Sequence, residues 1–534
     1  MFCRFFNDYH CALGGFALLL ALDAMLLWGG SFPFLPAEMQ SWELLSNFYL
    51  LQSLAFGGTF LISMFTAYFL PWVTRRALVL VSAAPVSLGS LCLVATLYLP
   101  DEAMLLVCIS ALLLGAGCAS LLILWQRFFA SLPAERGNRC LIIGTGLAAL
   151  IYLILELALQ LAQHFIPIAF SALLVPLVFV PLGGLSLALA ARSVDLAQPM
   201  FEDTPCHNKR VYLNTVKTYA TSALCVGCLG LASGIARALV LTDPSLGALV
   251  NIVAMLGALI SSIALLVLWR QASFRFDVLS AFQVVFPFIT TGFLLLPFFG
   301  LEFLYLFSGA LYMAFVFSVM IMMIQCSQAS RDFGINPQFI YGFFAAVVYV
   351  LQSFGFVLGT WSRGLEIRET VQSQHVLLIA LAAVWVLALA LFAARGKAND
   401  AYAQLHASPS EIEFLQEAGP AVADASPAVD VSAVADVSPA EDEERKTSDR
   451  RQGDLSRQCT LLRQHYLLSL REIEVVELVA CGNSVASIAD RLVVTENTVR
   501  THMKRIYSKL AIHKRQELLD LLETLEQSAT QHSR

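Results

Sequence analysis

A series of long, uninterrupted apolar segments is the feature that most restricts how this chain can fold. A bilayer core about 30 Å thick needs roughly 20 apolar residues of helix, because no backbone polar group can remain unpaired in lipid. Hydrophobic residues make up 58% of the 534 residues and charged residues only 13%, against roughly 25% charged residues in a soluble globular protein. Water-soluble domains of ordinary size cannot bury so much apolar surface. The composition therefore excludes a secreted or wholly cytosolic protein.

The apolar segments predict twelve membrane spans. Their approximate bounds are 11–30, 46–69, 77–99, 103–125, 141–163, 168–190, 218–238, 246–269, 278–299, 304–325, 339–361 and 376–394. The first segment is too long for a removable signal peptide and lacks a small-residue cleavage site. We therefore predict an all-α transmembrane domain over residues 1–395, followed by two aqueous segments.

The distribution of Lys and Arg predicts the orientation of these spans, because short cytoplasmic loops carry an excess of both. The N-terminus and the loops after even-numbered spans contain fifteen of them: Arg4, Arg75, Arg76, Arg127, Arg136, Arg139, Arg192, Lys209, Arg210, Lys217, Arg270, Arg275, Arg331, Arg395 and Lys397. The opposite side has only three, namely Arg237, Arg363 and Arg368. This asymmetry predicts a membrane protein with both termini in the cytoplasm.

The layout of the spans resembles the major facilitator superfamily. The loop from Arg192 to Lys217 is the longest on the cytoplasmic side, and it divides the spans six and six. In that superfamily two six-helix halves rock around a central cavity. The family motif between spans two and three is a Gly followed by Asp-Arg and a basic cluster. Here the stretch from Tyr68 to Arg76 keeps only the basic end, which argues against active transport.

Six polar residues within the spans are candidates for a ligand pocket. A charge at mid-membrane costs roughly 2.5–3.5 kcal/mol and seldom faces lipid. The charged residues are Asp23, Glu156 and Arg237, and the amides at similar depth are Gln52, Asn251 and Gln352. We predict that they line an outward-facing pocket, suited to a zwitterion or an organic anion. In the alternative interpretation Arg237 pairs with one of the acids, and the amides make interhelical hydrogen bonds.

The composition changes after the last predicted span. Residues 396–457 are rich in Ala, Pro, Ser, Val and acidic residues, so they bury too little surface to offset the entropy of ordering. We predict a disordered linker there. None of the twelve cysteines falls in a predicted outer loop, so no disulfide framework is expected. The pair Cys225 and Cys228 lies in an apolar run and is interpreted as packing residues, and we expect no metal site or cofactor.

Residues 458–534 predict a small domain of four short helices. The first, near Ser469–Ala480, has a capping box and a terminating Gly482. The second covers about Val485–Leu492, the third about Glu496–Leu510, and the fourth lies near Arg515–Leu525. A short helix, a tight turn and a longer basic helix form a helix-turn-helix, whose second helix enters the DNA major groove.

The charge of this region suits a polyphosphate partner. Between Arg491 and Arg515 there are seven basic residues against one acid, Glu496, which gives a net +6. Such a local field favours DNA. A solvated surface or contact with anionic lipid would explain the charge alone equally well.

Sequence motifs decide between these interpretations. The stretches 468–472, 488–489, 495–502 and 506–510, which read LSLRE, IA, TENTVRTH and IYSKL, resemble the LuxR-type helix-turn-helix at the family's spacing. The resemblance implies a DNA-binding domain that works as a homodimer on double-stranded DNA. It also implies that Arg500, Thr501 and Lys504 contact base edges. Contacts to the phosphates are implied for Thr495, Thr498, Arg505 and Lys509.

The whole sequence therefore predicts a membrane-embedded one-component transcription regulator that senses an unidentified small molecule. Residues 1–395 are the expected sensor and residues 458–534 the DNA-binding domain. We do not expect an enzyme, because the chain lacks a phosphate-binding loop and a zinc-ligand cluster. Two alternatives remain open: a major-facilitator-like transporter with a regulatory DNA-binding tail, and a membrane anchor without sensing.

Overall fold

The structure is a computed structural model, and it divides into two compact units. The first unit comprises residues 1–414 except for two short stretches, and the second comprises residues 415–534 together with those stretches, 271–274 and 332–334. The residues it describes are 8–26, 41–70, 75–165, 184–186, 209–241, 244–271, 274–276, 278–367, 385, 412–414 and, with short gaps, 458–522. Almost all of these residues are helical, which confirms the predicted all-α class.

Nine long helices make up the first unit as described. They are α1 (Asp8–Leu26), α2 (Trp42–Phe69), α3 (Arg75–Ala95), α4 (Ala103–Ser131), α5 (Ala134–Phe165), α6 (Lys209–Val240), α7 (Pro244–Gln271), α8 (Val278–Phe333) and α9 (Pro337–Ile367). A short 3-10 helix, Pro100–Glu102, precedes α4. Two three-residue strands, β1 (Phe274–Phe276) and β2 (Ile412–Phe414), pair with each other. Strand β2 lies within the segment predicted to be a linker, and the rest of that segment is outside the described residues.

Seven stretches of the described helices are long and apolar enough to cross a membrane. They are Trp42–Phe69, Pro100–Ser131, Ala134–Ala158, Lys209–Ala238, Leu249–Gln271, Leu306–Phe333 and Pro337–Trp361. Each overlaps a span predicted from the sequence, so the N-terminal unit is a membrane domain. The predicted spans 168–190 and 376–394 lie almost entirely outside the described residues. The count of twelve therefore stays a prediction.

Helix α8 is long enough for two spans, and a contact shows that it turns back on itself. Its 56 residues cover the predicted spans 278–299 and 304–325. A side chain added at Gly292 would meet the ring of Phe307, 15 positions further along. On a straight helix those positions would be about 22 Å apart. The chain must therefore reverse between them, where the sequence predicts a loop.

Helix α9 is the centre of the packing in this unit, since it contacts α6, α2 and α4. Small residues allow close approach of the backbones, as is usual between membrane helices. Gly234 of α6 lies directly against the main-chain carbonyl of Gln352 in α9, where any side chain would collide. Gly115 of α4 lies against the carbonyl of Gln52 in α2 in the same way. These contacts fix the bundle that surrounds the cavity described below.

The second unit contains helical segments at all four positions predicted from the C-terminal sequence. They are α10 (Leu470–Ala480), α11 (Val485–Leu492) and α12 (Glu496–Leu510), and residues 515–522 are also helical. Helix α10 ends in a Schellman motif, because Asn483 N donates to Leu478 O at 3.1 Å and Gly482 N donates to Val479 O at 3.1 Å. Gly482 has a φ of 84°, which confirms its predicted role as the stop.

An apolar stripe of α12 forms part of the core of this unit. Val499, Ile506 and Leu510 are buried, as the helical period of the sequence predicts. Ile488 and Ala489 of α11 are also buried, and α11 packs against α12. The face of α12 opposite this stripe is thereby turned away from the domain core.

Candidate nucleic-acid interface and membrane cavity

The start of α11, the first helix of the helix-turn-helix, is capped by a local hydrogen bond. Ser484 precedes α11, and its hydroxyl oxygen accepts from Ser487 N at 3.2 Å. This is an N-cap, which satisfies one of the free N–H groups at a helix start. The cap fixes the first turn of α11, and α11 packs against α12.

Arg500 and Lys504 lie on the exposed face of α12, as expected for residues that read base edges. They are four positions apart, so they are neighbours on one side of the helix. Arg500 Nη2 donates to Glu496 Oε2 at 2.8 Å, and its side chain is 62% exposed. An exposed pair of this kind is worth only about 0–1 kcal/mol. DNA can therefore displace it at small cost.

Lys509 is engaged inside the domain, which the sequence alone did not indicate. Its Nζ donates to Glu472 Oε2 at 2.6 Å, and the Glu472 side chain is 5% exposed while that of Lys509 is 39% exposed. The pair connects α12 to the first turn of α10. Any phosphate contact by Lys509 must be made while its ammonium also neutralises a buried carboxylate, so its predicted role in phosphate binding stays a prediction.

Two further basic residues close helix ends. Arg515 Nη2 donates to Val479 O at 2.8 Å, near the end of α10. Arg471 Nη2 donates to Leu492 O at 2.6 Å, the last carbonyl of α11. Basic side chains at helix C-termini satisfy free carbonyls and complement the helix dipole. Arg471 and Arg515 therefore stabilise the fold of the domain, and their charges do not by themselves indicate DNA contacts.

The structure describes only part of the remaining residues assigned to DNA contact. Thr498 lies in the first turn of α12, and Arg505 is partly exposed near its middle. Thr501 is on the same helix, but its side chain is outside the described part of the structure, as is the whole of Thr495. The assignment of all seven residues to base or phosphate contacts stays a prediction.

The membrane domain contains a cavity at the meeting of its two halves. Its walls come from α1, α4 and α5 of the first half and from α7, α8 and α9 of the second. The cavity has a volume of about 90 Å³, which is larger than the roughly 10–15 Å³ that one water molecule needs. The lining is mostly aliphatic, aromatic and methionine side chains. Its polar members are Asp23, Thr145, Tyr341 and Tyr349.

Asp23 is the acidic group of this cavity. It is 2% exposed, and the Cys118 thiol donates a hydrogen bond to its carboxylate. Its Oδ1 has no hydrogen-bond partner among the described residues, and neither has the hydroxyl of Tyr341, which is 0% exposed. A buried polar atom without a partner is costly and calls for an explanation. Two such atoms line the same cavity.

Arg237 and Glu156, the other predicted charged contacts, do not line this cavity. The guanidinium carbon of Arg237 lies 3.9 Å from the centroid of the Tyr49 ring, between α6 and α2. Arg237 is 7% exposed, so the ring supports a nearly buried cation. Glu156 is partly exposed on α5. The structure thus separates Asp23 from Arg237 as features of the membrane domain.

Two of the three amides make hydrogen bonds between helices. Asn251 Nδ2 donates to Ala24 O at 3.0 Å, joining α7 to α1 beside Asp23. Gln352 Nε2 donates to Ser233 Oγ at 3.4 Å, joining α9 to α6. Gln52 is 3% exposed, and its Oε1 has no partner within the described residues. The bonds of Asn251 and Gln352 are those expected from the structural alternative, and none of the three lines the cavity.

Sequence reasoning did not identify Tyr341 and Tyr349 as residues of the cavity wall, or Cys118 as the hydrogen-bond partner of Asp23. The two tyrosines are eight positions apart in one span, which places them on nearly the same side of a helix. This spacing of two polar side chains within one apolar span could have identified both tyrosines from the sequence. Cys118 could not be found in this way, because only tertiary packing brings α4 beside Asp23.

Comparisons with known proteins identify the C-terminal unit. The family described as "Bacterial regulatory proteins, luxR family" matches residues 466–522. The "Probable transcriptional regulatory protein NarL" of Mycobacterium tuberculosis is 47% identical over 49 residues, which are 9% of this chain and 23% of that protein. The match thus spans less than a quarter of the relative's length. Residues 466–522 form a LuxR-type DNA-binding domain, which confirms the resemblance seen in the sequence.

The membrane domain resembles solved transporter structures in its fold. A bacterial homologue of the iron transporter ferroportin, in an outward-facing state, aligns with a TM-score of 0.51 and 14% identity, covering 72% of this chain and 99% of that one. A major facilitator superfamily transporter in an outward conformation aligns with a TM-score of 0.44 and 14% identity, covering 72% and 99%. The first of these supports the predicted fold of the N-terminal region. At this identity it shows the fold alone.

Proposed function

We propose that this chain, a LuxR-type DNA-binding domain fused to a membrane domain of the major facilitator type, is a one-component transcription regulator that senses a small molecule. The proposal rests on one observation: a DNA-binding domain and a membrane domain with a cavity belong to the same polypeptide. One part has an exposed basic recognition helix, and the other has a cavity walled by both halves of a helical bundle. A ligand in that cavity and DNA at α12 would then act on one molecule.

The DNA-binding step of the proposal depends on α12. Arg500 and Lys504 contact base edges, with Arg500 able to make a bidentate contact to guanine worth roughly 1–3 kcal/mol. As the family resemblance implies, Thr501 also contacts a base edge, and the phosphates are bound by Thr495, Thr498, Arg505 and Lys509. Two copies bind as a homodimer, so the operator contains two half-sites whose symmetry matches that of the protein.

The sensing step is a shift in population between two arrangements of the membrane domain. A ligand shifts such an equilibrium only by its difference in affinity for the two states. A cavity lined by both halves supplies that difference, because its shape changes whenever one half moves relative to the other. The response at the promoter follows from a changed availability or dimerisation of the DNA-binding domain.

The topology of the proposal has twelve spans in the cytoplasmic membrane of a bacterium. Fifteen Lys and Arg residues on one predicted side against three on the other support a cytoplasmic location for both termini. The DNA-binding domain is then in the compartment that contains the chromosome. The protein acts by binding and catalyses no reaction.

The decisive experiment is transcript profiling of a deletion strain complemented with wild type or with the double variant Arg500→Ala/Lys504→Ala. A compact gene set that responds only to wild type supports DNA-dependent regulation. Gln516→Ala, on the exposed surface of the last helical segment, is the matched control and should behave as wild type. Identical profiles for wild type and the double variant in several growth media would refute regulation through base reading.

A separate measurement tests whether the membrane domain transports. Vesicles containing the purified chain would be assayed for saturable, gradient-dependent uptake of any compound that alters the profile. Uptake would favour the transporter with a regulatory tail. Replacing Asp23 without any change in the transcriptional response would instead favour an anchor without sensing.

A further inference from the structure

We infer that the cavity of the membrane domain binds a small organic ammonium ion, with Asp23 as its counter-ion and Tyr341 as a second polar contact. This inference rests on the proposed sensing function and names the chemical class of its ligand. It departs from the zwitterion or organic anion that the sequence suggested, because the structure separates Asp23 from Arg237.

The charge of the lining selects a cation. Among the described residues that line the cavity, Asp23 is the single carboxylic acid, and none is Lys, Arg or His. An ionised carboxylate at this depth is stable only with a partner. A carboxylate or phosphate ligand would place a second negative charge beside Asp23 without a basic residue to offset it. An ammonium group would instead give the Asp23 carboxylate a partner of opposite charge.

The unpartnered atoms supply hydrogen-bond acceptors at the site. An ammonium group has donors and no acceptor. Asp23 Oδ1 and the Tyr341 hydroxyl both lack a partner in the described part of the chain, and both residues line the cavity. Each of these oxygens can therefore accept a hydrogen bond from a donor group in the cavity. The carboxylate also keeps the Cys118 thiol as a donor, so the ligand is not required to satisfy every lone pair.

The rest of the wall suits an apolar or aromatic body. Phe315, Met255 and Met320 line the cavity, and flexible methionines adapt to irregular shapes and contact aromatic rings favourably. Tyr349 is fixed by neighbouring rings: its centroid is 4.6 Å from that of Phe56 and 5.5 Å from that of Phe60. Because the Tyr349 ring is held in place, it can make a cation–π contact with a bound cation.

A bare metal ion fits the site less well. Calcium takes six to eight oxygen ligands, and magnesium requires near-octahedral coordination. The oxygen-bearing side chains around the cavity are those of Asp23, Thr145, Tyr341 and Tyr349, and only one of them is an acid. An organic cation needs fewer oxygens, because apolar contacts contribute to its binding.

The test measures binding to the purified full-length chain in lipid nanodiscs, without any transcriptional readout. Three matched series serve as probes: butyl, benzyl and cyclohexylmethyl compounds, each as the amine, the alcohol and the corresponding carboxylate. Binding is followed by thermal unfolding and by isothermal titration. We expect at least one amine to bind about tenfold or more tightly than its alcohol, a difference of about 1.4 kcal/mol, and the carboxylates to bind more weakly still.

Variants separate the ion pair from general packing. Asp23→Asn keeps the size of the side chain, and it should reduce amine affinity about tenfold while leaving alcohol affinity nearly unchanged. Tyr341→Phe should weaken amine binding by a smaller factor. Asp101→Asn, in the exposed 3-10 turn before α4, is the matched control and should bind as wild type. Unliganded unfolding temperatures report whether each variant is folded.

Three results would overturn the inference. The first is alcohols or carboxylates that bind as tightly as the amines, and the second is amine affinity that survives in a folded Asp23→Asn variant. The third is the absence of any amine effect on wild type. Because none of these measurements uses DNA, such a failure would leave the transcript-profiling result intact. Amine binding without a transcriptional response would instead refute the sensing function.

Discussion

Arg331 of α8 donates from Nη1 to the main-chain carbonyl of Phe129 in α4, at a distance of 3.1 Å. Its Nη2 also donates to Asn138 Oδ1 of α5, at 3.3 Å. Arg331 is 5% exposed, so both bonds are shielded from water. They join the first half of the bundle to the second half, at the end that is predicted to face the cytoplasm.

A second contact lies one helical turn away on the same pair of helices. Gln126 Nε2 of α4 donates to Ser327 Oγ and to Met323 O of α8, both at 2.9 Å. Together with the bonds of Arg331 it forms an interhalf clasp. We define this clasp as the donors Gln126 and Arg331 with their acceptors Phe129, Asn138, Met323 and Ser327. Separation of the halves at this end requires every one of these bonds to break.

We predict that Arg331→Gln opens this end of the bundle. Hydrogen bonds to a charged group are worth about 1.5–3 kcal/mol each, and each 1.4 kcal/mol corresponds to about a tenfold change in population. Cys140 and Cys326 are buried near the clasp and act as native reporters. Membrane-impermeant maleimide applied from the cytoplasmic side should label them at least about tenfold faster in the variant.

Two further variants make this prediction specific. A methyl group at position 137 would lie 2.8 Å from Phe129 O and 3.2 Å from Arg331 Nη1, so Gly137→Ala should have the same effect without changing any charge. The neighbouring Arg136 is exposed, and Arg136→Gln should label at the wild-type rate. Equal rates in all four proteins would show that the clasp does not hold the halves together.

The ion pair between Glu472 and Lys509 should stabilise the DNA-binding domain. Lys509→Met leaves a nearly buried carboxylate without its cation, and we expect a loss of about 1.5–3 kcal/mol in local stability. Hydrogen exchange of α10 and α12 in the full chain measures this loss. The double variant Glu472→Gln/Lys509→Met removes both charges and should recover much of it. A single variant with wild-type exchange would contradict the structural role.

Base and phosphate contacts should differ in how they respond to DNA sequence and to salt. Arg500→Ala should reduce operator affinity by about 1–3 kcal/mol and relax specificity at one base pair. Arg505→Ala should weaken binding to every sequence and reduce the slope of log affinity against log salt by about 1. Fluorescence anisotropy at several salt concentrations, with matched and mismatched duplexes, distinguishes the two. Equal loss on all duplexes with Arg500→Ala would exclude a base contact there.

Two cysteines of the DNA-binding unit should differ sharply in reactivity. Cys459 is buried, and desolvation raises the pKa of its thiol to about 12, whereas Cys481 is exposed. The thiolate is the reactive form, so Cys459 should stay unlabelled by iodoacetamide at pH 8 while Cys481 reacts. Peptide mapping by mass spectrometry measures both sites in one sample. Labelling of Cys459 at the rate of Cys481 would show that this part of the domain opens readily.

The bounds of α11 and α12 could be predicted from sequence because the signals that set them are local. The apolar period fixed Ile488 and Val499 as core residues, and Gly482 supplied the stop before α11. The ion pair of Lys509 could not be predicted, since Glu472 is 37 positions away and only the packed domain brings the two together. In the same way, depth in the membrane identified Asp23 as a candidate but gave no information about its neighbours.

The membrane domain shows the same division between local and tertiary information. Hydropathy located the helices, because the length of an apolar segment is sufficient for that purpose. It also suggested that Arg237 shares a pocket with Asp23, since both are charged and lie in the outer half. The structure gives Arg237 a ring partner, Tyr49, at 3.9 Å. Which polar groups meet depends on helix rotation, and hydropathy does not report rotation.

Residues of both halves line the cavity, whereas the donors of the clasp, Gln126 and Arg331, lie outside it. In the proposed sensing function, the ligand concentration that gives half of the response therefore depends on the clasp as well as on the residues that contact the ligand. Apparent affinity equals intrinsic affinity reduced by the fraction of molecules in the competent arrangement. A substitution at Arg331 would therefore move the midpoint of a dose–response curve while Asp23 and Tyr341 stay unchanged. Lineages could adapt to scarce or abundant ligand by altering the clasp, without losing recognition of the compound itself.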